Sequence, residues 1–142
     1  MQCEDFTTPV LTGTKTHFLT ATAAARHMVQ KRSGVILTLS SSAAGLSGRD
    51  RRYHLNGGFA TACAAIEALS RSLAGELGPQ GVRVICLRPD AIPETWLAAR
   101  DGDHSLVEVR TYMEDGTALG RLQHWTRLLM QRSSWPPIEP AR

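Results

Sequence analysis

No run in the 142 residues approaches the ~20 consecutive apolar positions that a membrane-spanning helix needs. The opening MQCEDFTTP has neither the basic start nor the long apolar core of a secretion signal. These two absences lead to the expectation of a cytoplasmic protein with no membrane partner. Cysteine is scarce: Cys3, Cys63 and Cys86 are an odd, widely spaced set. No CxxC pair or Cys/His cluster offers a metal site, so no metal is expected. Cys63 and Cys86 fall in apolar surroundings and read as buried, reduced thiols. Long runs of Lys and Arg are missing too, although the net charge is +3. Arg49, Arg51 and Arg52 cluster, but Asp50 sits among them and no aromatic ladder accompanies them. That is a solvated loop and excludes a nucleic-acid stripe as the working reading. The chain has no internal repeat, and its length suits one modest domain.

What is present centres on residues 57–77, GGFATACAAIEALSRSLAGEL. Phe59, Ala62, Cys63, Ile66, Leu69, Leu73 and Leu77 recur at steps of three and four, the period of one buried helix face. Ala64, Ala65, Ala68, Ala74 and Gly75 keep the other faces thin enough for a second helix to approach. Gly78-Pro79 is the expected stop, with Gly as a left-handed cap and Pro unable to continue the turn. Short apolar runs at 35–39 and 82–87 flank the helix. Strand, helix and strand in that order predict a βαβ unit with parallel strands.

The remaining elements are read around that unit. Residues 1–14 are polar and aperiodic. A helix is predicted over 15–32, with Phe18, Ala21, Thr22, Ala25, Met28 and Val29 on one face and Ser33-Gly34 closing it. The strand 35–39 is apolar on both sides, as in a covered parallel sheet. Ser40 to Gly45 follow at its carboxyl end, and residues 88–95 leave the second strand at the same end. Open α/β sheets bind their ligands there. Further helices are expected over 105–113 and 121–132, the second amphipathic through Leu122, Trp125, Leu128 and Leu129. The last ten residues carry three prolines and read as extended. His27 and His124 lie on expected helices and read as ordinary surface or packed residues.

FLTATAAARHM, GVILTLSSSAAG, ALSRSLAGELGPQGVRV and LRPDAIPET, in this order and spacing, resemble the short-chain dehydrogenase/reductase family over residues 18–95. The resemblance implies a Rossmann-like fold, NAD or NADP as cofactor, and hydride exchange with a small carbonyl or alcohol. Ser41 matches the family's active serine, whose hydroxyl would bind the substrate oxygen. The family next requires Tyr and, four residues on, Lys. An ammonium beside a phenol of ordinary pKa ~10 favours the charged phenolate, and i, i+4 spacing brings the two together on a helix. Those positions are Phe59 and Cys63 here, and the family's relay asparagine aligns with Gly13. Tyr53 lies near the usual distance from Ser41, but its fourth neighbour is Gly57. Pro89, Ile92 and Thr95 match the loop that contacts the nicotinamide, with Asp90 where the family has Gly and Thr95 one residue late.

The family's Gly-rich phosphate turn has no counterpart in the sequence. The expected fold is therefore α/β, a partial Rossmann-like doubly wound parallel sheet lacking the N-terminal dinucleotide-binding half. Residues 1–95 would form that partial core and 96–142 a divergent tail with short helices. Two functional expectations follow. One is an NAD(P)-dependent oxidoreductase by descent, truncated or frame-altered and catalytically impaired. The other is a non-catalytic module that self-associates, as a homo-oligomer, through helices 15–32 and 57–77.

Overall fold

The computed structural model describes residues 2–45, 57–90, 92, 104–122 and 124. Helix α1 spans Cys3–Gln30, strand β1 Gly34–Leu39, helix α2 Gly57–Leu77, strand β2 Val82–Leu87 and helix α3 His104–Asp115. Short 3-10 turns fill Ser42–Gly45 and Gly78–Gln80. The chain divides into two compact units, Met1–Arg88 and Pro89–Arg142.

The predicted βαβ unit is present in the first. β1 and β2 pair in parallel, with Gly34 opposite Val82 and Leu39 opposite Leu87. Ala21 and Ala25 of α1, Ile36 of β1, Leu73 and Leu77 of α2 and Val82 of β2 form its core. Met28, Val29, Leu69 and Val84 pack around it. α1 meets α2 closely at Gly13, where a Cβ would stand 3.5 Å from Ala62 Cβ and 3.7 Å from Ile66 Cδ1. The close approach therefore uses the Ala62–Ile66 side. Ala64 and Ala68 are exposed, and Gly75 faces open space.

Three local expectations are corrected. α1 starts at Cys3, well before residue 15. Its first turn is capped by Asp5, whose carboxylate accepts the Gln2 main-chain N–H at 2.8 Å. Pro9 and the threonines hide the helical period, yet Thr14, Thr16, Thr20 and Thr22 donate their hydroxyls to carbonyls four residues back at 2.6–2.7 Å. α1 ends at Gln30, and Arg32 in the turn after it is in the left-handed region (φ 48°), before Ser33-Gly34. α2 stops at Leu77 as expected, but the left-handed residue is Gly81 (φ 80°), reached after the 3-10 turn. A side chain at Gly81 would run into the Arg32 carbonyl, so the two turns that feed the strands press together there.

The third correction concerns the sheet. Ile36 and Thr38 are buried on the helix side, whereas Leu37 and Leu39 are 50% and 44% exposed. The strand's second apolar face is thus not covered, because α1 and α2 both pack on the Ile36–Thr38 side. In the second unit α3 confirms the helix expected over 105–113. Leu122 is buried there. Most of the helix expected over 121–132 lies outside the described residues.

Candidate functional site at the carboxyl end of β1

The parallel pairing continues one step past β1, where Ser40 N–H donates to Leu87 O at 2.8 Å. The chain then turns sharply. Ser41 Oγ accepts the Ala43 N–H at 3.3 Å, and Ser41 O accepts the Ala44 N–H at 3.1 Å. Ser41 is thereby held at the strand end with its hydroxyl committed as an acceptor to its own turn and its proton still available to donate.

Beneath the turn lies α2. Phe59 is 45% exposed, so the apolar stripe expected from the sequence does not bury it. Cys63, one turn further, is 4% exposed. Burial pushes its thiol pKa up, and nearby Glu67 and Cys86 act in the same direction. Hydrogen bonding to the Ser41 main chain and the Ser40 hydroxyl pulls the other way and does not prevail. The side chain under Ser41 is therefore a neutral thiol at neutral pH, without the positive charge that would lower the pKa of a neighbouring acid.

The ionised groups stand one helical turn beyond. The buried Ser40 donates its hydroxyl to Glu67 Oε1 at 2.8 Å, with the Cys63 carbonyl at 3.3 Å. Glu67 also pairs with Arg88 Nε at 3.4 Å. The Arg88 guanidinium reaches back to Gly45, where any side chain would collide with it. Ser40, Glu67 and Arg88 thus tie the start of the turn carrying Ser41 to α2 and to the end of β2, and Arg88 lies close to Gly45 at the turn's other end. A second buried pair, Thr38 Oγ1 with Ser70 Oγ at 2.6 Å, anchors the strand below, and Ser70 donates onward to Ile66 O at 2.7 Å. The sequence carries one signal for the clamp: Glu67 is the single charged residue between Gly57 and Ser70.

The other residues singled out above are distributed as follows. Gly13 lies in the α1–α2 contact and has no side chain to hold a water. Pro89 and Ile92 belong to the second unit, and Ile92 is 8% exposed. Thr95 and Tyr53 lie outside the described residues. His27 is exposed, and His124 is half-buried. No group of three or more His, Cys, Asp or Glu that could hold a metal occurs among the described residues. No described helix is long and apolar enough to cross a membrane.

The described residues do not fit a whole nicotinamide dinucleotide. β1 runs into the Ser42–Gly45 turn and β2 into Arg88-Pro89-Asp90, and neither opens a helix through a Gly-rich loop. The Gln2 N–H just ahead of α1 is bonded by Asp5. Cys63 offers no cation for a ribose or phosphate.

Residues 1–126 match the family model described as enoyl-(acyl carrier protein) reductase. The chain is 33% identical to sorbitol-6-phosphate 2-dehydrogenase of Klebsiella pneumoniae over 93 residues, 66% of this chain and 33% of that protein. It superposes on the TT0495 protein of Thermus thermophilus with a TM-score of 0.74 and 25% identity, over 94% of this chain and 53% of that one. It also superposes on a gluconate 5-dehydrogenase of Burkholderia cenocepacia, solved with NADP and tartrate, with a TM-score of 0.71 and 18% identity, over 87% and 46%. The chain therefore spans between a third and about half of the length of these relatives.

Proposed function

This chain belongs to the short-chain dehydrogenase/reductase family, its α1–β1–α2–β2 part being a portion of that Rossmann-like fold, and from that premise we propose an NAD(P)-dependent oxidoreductase by descent whose proton-transfer machinery is impaired. The supporting observation is what stands at two sequence positions, an exposed Phe59 and a Cys63 buried against the Ser40-Ser41 segment. On the family resemblance these positions call for a phenol and an ammonium. Phe59 has no proton to give, and the Cys63 thiol is buried and neutral. Ser41 remains as the group that would bind a substrate oxygen, through the proton its turn leaves free. Pro89, Ile92 and Thr95 are proposed as what is left of the nicotinamide loop. The substrate class carried by descent is a small carbonyl or alcohol, and the compartment the cytoplasm. Residues 1–95 are assigned to the core and 96–142 to the divergent tail.

A turnover assay tests this reading. The purified chain, offered NADH or NADPH with a panel of small ketones and aldehydes, is expected to show no oxidation of the nicotinamide above the protein-free rate. Steady turnover that disappears in Ser41→Ala would overturn it.

A second reading, self-association through α1 and α2, is favoured by the exposed Leu11, Phe18 and Leu19 of α1 and Phe59 of α2. Leu11 and Phe18 are seven residues apart and share one face of the helix. Sedimentation equilibrium is expected to give a dimer or larger species that Phe18→Asp converts to monomer. A concentration-independent monomer would remove this reading.

A further inference from the structure

Beside the clamp, and sharing Glu67 and Arg88 with it, a cleft of about 250 Å³ opens between α2 and β2. Glu67, Arg71 and Ala74 line it from the helix at i, i+4 and i+7, a single helical face. Val84, Cys86 and Arg88 line it from the strand and its exit, alternating along one face. Its lip is charged and its floor is not. Arg88 is paired with Glu67, and Glu67 is also bonded by Ser40. Arg71 has no ion-pair or side-chain hydrogen-bond partner among the described residues. The three ionised groups therefore leave one uncompensated positive charge at the mouth. Ser70, the neutral polar residue of the lining, is already spent between Thr38 and the Ile66 carbonyl. Ala74, Val84 and Cys86 complete an apolar floor.

We propose that this cleft binds a small organic carboxylate, its head on Arg71 at the charged lip and a short aliphatic body over Ala74, Val84 and Cys86. The sign of the free charge selects an anion over a cation. A guanidinium presents a planar fork that matches a carboxylate, which a point charge does not. The floor selects a ligand with an apolar body over an inorganic anion, because a fully hydrated ion would leave Val84 and Ala74 without contact. The cleft's volume is about 250 Å³. That is smaller than the usual ~300–1,000 Å³ pocket and suits a compact ligand of about five to eight heavy atoms. The inference does not depend on the oxidoreductase reading, since the cleft uses neither Ser41 nor Phe59.

The test is an amide chemical-shift titration of the full chain with three probes: butyrate, inorganic phosphate and butyramide. Butyrate is expected to give saturable shifts at Arg71 and Ala74 of α2 and at Val84 and Cys86 of β2. Phosphate and butyramide should each bind about tenfold more weakly or worse, having lost the apolar body or the charge. Arg71→Ala should weaken butyrate by about tenfold or more, and Arg71→Lys should recover part of that loss. Arg83→Ala, an exposed cation elsewhere on β2, should change nothing. Equal binding of butyramide, equal or tighter binding of phosphate, an unchanged Arg71→Ala, or no saturable shift with butyrate would each overturn the proposal.

Discussion

The two halves of α2 belong to one helix and have kept different things. The second half, Ser70 to Leu77, packs as its sequence period requires: Leu73 and Leu77 enter the core, and Ser70 closes a buried hydrogen bond with Thr38. The first half, Gly58 to Glu67, lies under the Ser41 turn. There Ala62 and Ile66 still pack against α1 at Gly13, while Phe59 projects outward and Cys63 is sealed in. Packing constrains shape alone, so many apolar residues satisfy it. Proton transfer constrains the identity of a proton-bearing atom, and a single replacement removes it. On the proposed reading, the helix keeps its place in the fold without the proton-bearing groups the family resemblance calls for.

The largest effect should come from the packing half. Leu73→Ala is expected to cost about 2–5 kcal/mol in urea unfolding, because a nearly closed site cannot collapse around the missing atoms. Phe59→Ala, in the same helix, should cost less than about 1 kcal/mol, since nearly half of that residue is already in water. If the two losses were alike, the contrast between the halves would break.

That contrast also sets what could be read from the sequence. β1, α2 and β2 were legible nearly to the residue, the helix from its 3.6 period and the strands as short apolar runs bounded by turn residues. The start of α1 was not. Its threonines and Pro9 are poor helix formers, and they are tolerated through hydroxyl bonds to carbonyls four residues back that no sequence period records. Phe59 was placed in the stripe by spacing alone, whereas in the fold it is 45% exposed. At the candidate site Ser41 and Cys63 were legible as positions. The clamp of Ser40, Glu67 and Arg88 was not, because it exists only once a strand-end turn, a helix and a second strand have met.

A middle-sized effect should sharpen the clamp. Glu67→Gln removes the charged acceptor of the buried Ser40 hydroxyl and is expected to cost about 1–2 kcal/mol by thermal unfolding. Arg88→Ala should cost less than about 1 kcal/mol, because its ion pair with Glu67 is half in solvent. A larger loss from Arg88 than from Glu67 would place the weight of the clamp on the ion pair instead.

The smallest effect is a slope in pH. Burial raises the Cys63 thiol above its unfolded value, so the folded chain keeps that proton where the unfolded chain gives it up. The stability this contributes is complete below the unfolded thiol range. It is lost as pH climbs through that range toward the folded value. Cys63→Ala should flatten the alkaline fall in unfolding free energy, and an identical slope in the variant would contradict the burial argument.

The most direct measurement is a titration of the purified chain with NADPH and NADH, followed by nicotinamide fluorescence. On the proposal that this chain lacks the groups that grip the nucleotide, neither should give a saturable change. A saturating signal, abolished by Cys63→Trp beneath the Ser41 turn, would show a working nucleotide site and contradict the account.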